Sequence, residues 1–438
     1  MINKAKEIMK TLIDNGYEAY LVGGCVRDSI LGVTPKDYDI ATNAVPSIIK
    51  KLFKKTIPTG EKYGTITVML DEELFEVTTY RLESEYIDER RPNVVKFAKT
   101  LREDLERRDF TINSMAMDIE ENIIDHFNGQ QDLMHGIISC VGSAYDRLAE
   151  DKLRILRAFR FASRYDFEIH RDIFYAIEED NDISNLSKER IREEFNKIIL
   201  SKKPSTWISR LFETGLLKQI IPELCVCYNF HQHNPHHSKN VFDHILTVVD
   251  SIQPKLELRL AALFHDIGKP QTFSIDNGIG HFFGHSKESA RICEEVMTEL
   301  KYSNKEIGHV RELVYWHMNK CDTNKPRSIK KFIRGIGEDR LEDLYKLKIA
   351  DLQGSNAFYE DFREIFKIKF ACEKVLFEKQ PLSIRDLKIN GNDLINAGIE
   401  QGKQIGIILN KLLESVLDDP EMNKRDILLE EVGKMVRE

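Results

Sequence analysis

Residues 21–42 read LVGGCVRDSILGVTPKDYDIAT. An apolar run leads into Gly23-Gly24, a helix-like segment carries Arg27 and Asp28, and the stretch closes on Asp37 and Asp39, one residue apart. Alternate residues on a strand point to one face, so both carboxylates are expected to converge on one point. Two hard oxygen ligands are what a Mg²⁺ bound to a triphosphate needs from a protein, because substrate and water supply the rest. The glycines let the backbone approach phosphates, and successive N–H groups can cradle an anion. Taken singly, a DxD on a surface turn or a Gly-Gly tight turn is commonplace; the ordered combination is much rarer.

Working outward, GTITVML (64–70) and LFEVTTYR (74–81) alternate like half-buried strands. Glu76, Thr78 and Tyr80 should share a face, which makes Glu76 either a third carboxylate beside Asp37 and Asp39 or an edge-strand glutamate in solvent. The run DLERRDFTINSMAMD (104–118) then offers Arg107, Arg108, Asp109, Thr111 and Asn113. Guanidinium forks match phosphate oxygens and can hold a triphosphate as charge moves to the leaving pyrophosphate.

The segment AEDKLRILRAFRFASRY (149–165) reads as a helix with an apolar stripe at Leu153, Leu156, Phe159 and Ala162. Asp151 and Arg154, three apart, would be neighbours on one helical face. An i,i+3 salt bridge is the plain reading. The sharper one rests on base edges, since cytosine and adenine both present an amino donor beside a ring-nitrogen acceptor, whereas uracil and guanine present the reverse. A carboxylate beside a guanidinium accepts C or A and leaves buried groups unpaired against U or G, at about 1–3 kcal/mol each. Arg157 is a candidate phosphate or base-stacking contact. In SKERIREEF (187–195), Ser187, three before Arg190, suits a helix start.

From about residue 225 the character changes. His231, His233, His236 and His237 crowd one stretch, followed by His244, the doublet His265-Asp266, His285, His317 and Asp351. Imidazoles and carboxylates from several helices can hold one or two divalent transition metals, and such ions generate a nucleophilic water near neutral pH. Lys269, just after the doublet, could hold a phosphate. Residues 356–380 read as one more helix, and Gly391, Gly398, Gly402 and Gly406 punctuate short helices in the tail, where exposed amides could hold RNA phosphates. A small helical packing module explains the tail nearly as well.

The 438 residues suffice for two to four domains. Seven scattered cysteines without a CxxC pair argue for a reducing compartment and against a disulfide scaffold, so a cytoplasmic protein with no membrane association is expected. The net charge of −8 opposes indiscriminate nucleic-acid binding, so RNA would need local basic clusters such as Lys50–Lys55 or Arg154–Arg164.

The order GGxVRD, DxDxxT, RRDFTIN and EDxxR resembles the class II tRNA nucleotidyltransferases, the CCA-adding enzymes, and their bacterial poly(A) polymerase relatives. His…His-Asp…Asp is similarly arranged to the HD phosphohydrolase domain. The resemblance covers essentially the whole chain and implies an α+β head, a palm-like mixed sheet with helices on one face, followed by mainly α-helical domains. Expected boundaries are a head at 1–140, a neck at 141–220, an HD domain at 225–355 and a tRNA-binding tail at 356–438. It implies addition of the 3′-terminal CCA to tRNA from CTP and ATP. Asp37 and Asp39 would hold Mg²⁺, Gly23, Gly24 and Arg27 would shape the phosphate pocket, and Arg108, Asp151 and Arg154 would hold and read the nucleotide. SKERIREEF resembles a family helix in which Glu189, Arg190 and Arg192 would organise the neck. His244, His265, Asp266 and Asp351 would bind a transition metal, with His285 and His317 as extra ligands in two-metal versions. That centre would remove phosphate or open a 2′,3′-cyclic phosphate.

The segment ESEYIDERRPNVVKF (83–97) resembles the family's flexible loop associated with adding the terminal adenosine. Arg90, Arg91 and Pro92 are present, with Glu89 where glycine is frequent, and Ser114 replaces a common alanine. An adenosine-only enzyme, a poly(A) polymerase, an inert RNA-binding or nucleotide-sensing module, and an HD hydrolase with the head as an RNA dock remain the alternatives. The sequence leaves the oligomeric state open.

Overall fold

Alternating apolar residues build a seven-stranded sheet: β1 Ala19–Val22, β2 Asp39–Thr42, β3 Thr56–Gly60, β4 Thr65–Leu70, β5 Glu73–Thr79, β6 Met115–Met117 and β7 Ile123–Asp125. Its order is β3-β4-β5-β2-β1-β6-β7. The β2–β5 pair is parallel and the others antiparallel, so the sheet is mixed. This computed structural model describes residues 1–438 except 83–85, 89–90, 93–95, 232–238, 356–360 and 438, with only the backbone of 86–88, 91–92 and 436–437. The residues expected to govern adenosine addition, Glu89, Arg90, Arg91 and Pro92, therefore lie outside the described side chains. His233, His236 and His237 lie outside the described residues altogether.

Two registers place the head's carboxylates. Val22 pairs with Asp39, which sets Gly23 beside the start of β2. Ile40 pairs with Val77, so Asp39 and Glu76 each sit one step before a paired position on adjacent parallel strands. Helices cover the sheet through apolar stripes. In Ile2–Asp14, Ala5, Ile8, Met9 and Leu12 recur at helical spacing and are buried.

The chain forms two compact units, Met1–Pro222 and Glu223–Glu438. After the sheet the first unit is helical. The stretch 149–165 is not one helix: Ala144–Glu150 ends, Asp151 is extended, and a new helix runs Leu153–Tyr165. The Asp151 carboxylate accepts the Leu153 N–H at 3.0 Å, which is the reason for the break, since a short acidic side chain competes for helix-start donors. Leu153, Leu156, Phe159 and Ala162 are buried along the second helix as the stripe requires.

The second unit is helical apart from a two-stranded hairpin. Helices Val241–Ser251, Leu256–Phe264, His285–Glu299, Asn304–Trp316 and Leu341–Ser355 carry the histidines and aspartates of interest at or near their ends. Asn240 caps the first of these through the Asp243 N–H, and a Ser303/Glu306 capping box starts the fourth. The helix expected over 356–380 is Arg363–Phe377. In the tail, helices Gly391–Asn396, Lys403–Asp418 and Arg425–Arg437 enclose an apolar cluster with Leu394, Leu412, Leu413, Val416 and Leu428. Gly402 stands just before the middle helix, but Gly406 lies inside it rather than between helices. Among the described residues no helix is long and apolar enough to cross a membrane. All seven cysteines are free.

Candidate active site and candidate metal centre

A cleft of about 1180 Å³ opens in the first unit, lined by Gly23, Gly24, Arg27, Asp37, Asp39, Glu76, Arg108, Asp151, Arg154 and Arg157 among others. The head and neck residues expected to bind Mg²⁺, phosphate or the base therefore face one space, whereas Thr111, Glu189 and Arg192 do not line it. Asp39 begins β2, whereas Asp37 precedes the strand and is exposed, so the strand alternation expected to align them covers only Asp39. Tyr80 leaves the face of Glu76 and Thr78 and is fully buried, donating from its hydroxyl to Glu18 at 3.0 Å. Thr78 and Glu76 line the cleft; Glu76 is exposed to it, on a strand paired on both sides.

The electrostatics show an unmet need for positive charge. Burial, then the charges of Asp37 and Glu76, raise the Asp39 carboxyl to about 6, against the opposing pull of Arg108. A carboxylate so placed suits a divalent cation, and the donor set is all oxygen, as Mg²⁺ requires. Proton and cation compete for the same group. The Mg²⁺ concentration giving half-maximal occupancy of these carboxylates should therefore rise as pH falls through about 6, approaching tenfold per unit on the acid side; a flat Mg²⁺ affinity between pH 5 and 8 would contradict this.

The arginines are held before any substrate arrives. Arg107 and Arg108 both bond the buried Asp104, at 2.8 and 3.2 Å. Gly23 has φ +73°, and a Cβ there would stand 2.9 Å from the Arg108 Nη1. Gly23→Ala thus combines backbone strain of about 1–3 kcal/mol with displacement of a guanidinium. The expected outcome is triphosphate affinity weakened by roughly tenfold or more, read by equilibrium binding of inorganic triphosphate. Arg27 is buried and donates from Nε and Nη2 to Asp28, at 2.9 and 2.7 Å, and from Nη1 to Asn113. Its guanidinium also lies 4.9 Å from the Tyr165 ring centre.

Arg157 bonds Asp109 at 2.5 Å. Burial opposes the Asp109 charge, but Arg157, Asn113 and the Phe110 N–H prevail and hold its carboxyl at about 2. Asp151 and Arg154 do not form the i,i+3 bridge. Asp151 is paired with Arg190 at 2.9 Å, whereas Arg154 donates to Glu150 and to the Arg147 carbonyl at 2.8 Å. The helix break at Asp151 separates them along the chain while both still line the cleft. Lys36, Arg81, Lys197 and Lys202 also line it, and their scattered positions carried no sequence signal. The row Arg154, Arg157, Arg160 and Arg164 was legible as a basic cluster; Lys50, by contrast, pairs with Glu61 away from the cleft.

In the second unit the histidines and aspartates converge. His244, His265, Asp266 and Asp351 offer ligand atoms within 4.8 Å of one another, and so do Asp266, His285 and His317. Asp266 belongs to both sets. Its Oδ2 lies 3.2 Å from His244 Nε2 and 3.3 Å from His265 Nε2, while its Oδ1 lies 3.3 Å from His285 Nε2 and 3.7 Å from His317 Nε2. Asp351 Oδ1 is 3.1 Å from His244 Nε2. The Nδ1 atoms of His265, His285 and His317 each meet the carbonyl three residues back, at 2.7, 2.8 and 2.6 Å. Those contacts fix the Nδ1–H tautomer and leave Nε2 lone pairs directed inward, as metal ligation demands. Without a metal, burial works against a His265 charge, yet Asp266 and Asp351 overcome it and raise the imidazole to about 10. Burial lowers His317. Lys269, at 2.6 Å from Asp266 Oδ2, is the buried cation beside the doublet. His231 is exposed.

Sequence comparison agrees with this geometry. Residues 19–139 match the poly A polymerase head domain, 166–227 the probable RNA and SrmB-binding site of polymerase A, and 236–352 the HD domain. The CCA-adding enzyme of Ligilactobacillus salivarius is 33% identical over 440 residues, spanning 99% of this chain and 97% of that protein. The enzyme of the same name from Staphylococcus haemolyticus is 32% identical over 444 residues, spanning 100% and 98%. The Bacillus stearothermophilus CCA-adding enzyme, solved in complex with CTP, superposes with TM-score 0.73 at 25% identity over 99% of this chain and 97% of that one. The Thermotoga maritima CCA-adding enzyme, solved with tRNA, shares the fold at TM-score 0.59 and 22% identity, over 99% and 95%. Near-complete coverage by relatives of one kind, on top of a carboxylate-arginine cleft and an HD histidine cluster, establishes that the chain belongs to the CCA-adding enzymes and carries an HD domain.

Proposed function

We propose that the chain adds the 3′-terminal CCA to tRNA using CTP and ATP. The observation that carries this is the cleft in which Asp37, Asp39 and Glu76 face Arg108 and eleven other basic side chains. Asp37 and Asp39 would hold Mg²⁺, which supplies charge neutralisation at the triphosphate and acidifies the RNA 3′-hydroxyl. Glu76 supports the negative field that retains the cation. Gly23 and Gly24 leave room for phosphates, Arg27 shapes the pocket wall through Asp28 and Asn113, and Arg108 faces the triphosphate.

Asp151 accepts the amino group of C or A while Arg154 donates to its ring nitrogen. Their fixed partners, Arg190 and Glu150, keep both side chains from rotating to suit U or G. Arg157, tied to Asp109, sets the wall beside them. The deciding experiment extends tRNA lacking its 3′ end with Mg²⁺ and CTP, ATP or both. Growth by C, C and A that then stops supports the reading. Growth by one A from a CC end alone makes it an adenosine-only enzyme, long A tracts on unstructured RNA make it a poly(A) polymerase, and no growth overturns it.

A second activity rests on the doubled cluster around Asp266. His244, His265, Asp266 and Asp351 would hold one divalent transition metal, and Asp266, His285 and His317 a second. Such ions supply an activated water for phosphate-ester hydrolysis when bound. Lys269 neutralises Asp266 and is placed to share its charge with a bound phosphate. Hydrolysis of a 2′,3′-cyclic phosphate or a terminal phosphate from RNA, dependent on added Mn²⁺, Co²⁺ or Ni²⁺, tests this.

A further inference from the structure

The second unit contains a pocket that neither reaction uses. It encloses about 570 Å³ against helix Pro326–Ile336, with Trp316 and Phe332 as its aromatic wall and Lys320, Lys325, Arg327 and Lys331 as its cations; Asp418 is the one acid on its lining. The volume lies in the range of small-molecule sites.

Trp316 is seated with care. Its indole N–H donates to Glu312 at 3.2 Å, and Phe332 meets it edge-on at 5.6 Å. A Cβ on Gly335 would fall 2.0 Å from Trp316 Cζ2, so this helical position must stay glycine for the ring to lie where it does. Glycine inside an exposed helix weakens it relative to alanine, a cost offset here by a flat indole held beside basic side chains. The cations differ in commitment. Arg327 bonds Glu414 and Asp418, and Lys331 bonds Glu414 at 3.2 Å. Lys325 reaches Asp322 at 3.3 Å with its side chain three-quarters exposed, and Lys320 makes no ion pair among the described residues.

An aromatic side chain beside one lysine unpaired among the described residues and a second held only by an exposed ion pair suits a base bearing a phosphate. Stacking on an indole tolerates any base, and lysines meet phosphate as point charges. We propose that this pocket binds a nucleotide unit, its base against Trp316 and its phosphate between Lys320 and Lys325. Its lining shares no residue with the transferase cleft or with the histidine cluster. Its nucleotide could arrive free or as an unpaired residue of an RNA.

Trp207 and Trp316 are the two tryptophans of the chain, so Trp207→Phe leaves Trp316 as the sole indole reporter. In that full-length variant, AMP, CMP, inorganic pyrophosphate and a short unstructured oligonucleotide are titrated while Trp316 fluorescence is followed. The expected result is saturable quenching by AMP or the oligonucleotide, weakened about tenfold or more by Lys320→Glu with Lys325→Glu, and unchanged by Asp37→Ala. Saturation by AMP identifies a free nucleotide, and saturation by the oligonucleotide alone identifies an RNA residue. Melting of each variant, followed by circular dichroism, guards against loss of fold. No saturable change with any titrant, or quenching equal in the folded lysine-reversed variant, overturns the proposal. Quenching by pyrophosphate as strong as by AMP also overturns it, because the base would then contribute nothing.

Discussion

Asp39→Asn should abolish nucleotide addition without weakening the fold. The substitution keeps shape and removes one of the two carboxylates proposed for Mg²⁺, forfeiting several kcal/mol of charge stabilisation, or a rate loss of about a thousandfold or more. Single-turnover extension of labelled tRNA measures it. The stability arm has a definite sign. In the folded, metal-free protein the Asp39 carboxyl is raised to about 6, so above that pH folding holds an ion that burial and its neighbours disfavour. Below the ordinary carboxylate value the group is neutral in both states and contributes nothing. Removing the charge should therefore leave the metal-free melting temperature at pH 7.5 unchanged or higher. Extension within tenfold of the parent would refute the role of Asp39, and a collapse in melting temperature would reassign it to architecture.

Asp266→Asn should have the opposite profile. The parent carboxylate is 1% exposed and stands within 3.7 Å of four imidazoles and the Lys269 ammonium. Removing one partner of a buried ionic network leaves cations without a counter-charge, at about 3–5 kcal/mol. Metal content by mass spectrometry should fall to background, the hydrolysis proposed for this centre should be absent, and CCA addition measured below the lowered melting point should persist. His285→Ala is the control. Because Asp266 presents one oxygen to each histidine set, losing His285 should halve the metal content rather than empty the centre. A full complement of metal in Asp266→Asn would remove Asp266 from the ligand set.

What could be read in advance divides by the range of the interactions. The DxD carboxylates, the Arg-Arg doublet and the His265-Asp266 doublet lie in short motifs, and each reaches the expected cleft or cluster. Asp151 and Arg154 were legible as residues but not as a pair. Helical periodicity predicted neighbours on one face, whereas the aspartate stops one helix and starts the next, and its charge goes to Arg190, thirty-nine positions away. Lys36, Arg81, Lys197 and Lys202 were silent for the same reason: separate segments converge only through sheet order and helix packing. Tyr80 obeyed neither alternation nor hydroxyl polarity, because β5 ends at Thr79 and Glu18 awaits its hydroxyl.

The cleft's lining also alters what the chain's overall acidity means. Twelve of its side chains are basic and five acidic. Setting these aside from the 64 basic and 72 acidic residues leaves 52 against 67, a balance of −15. On balance a polyanion is therefore repelled by the remaining side chains and drawn to concavities that gather cations, this cleft holding the most of them. Such segregation works as an orienting filter: encounters elsewhere are short, and those that persist begin with the strand end where chemistry is possible. Added salt should then slow productive capture and, by screening the repulsive remainder, raise the share of unproductive contacts.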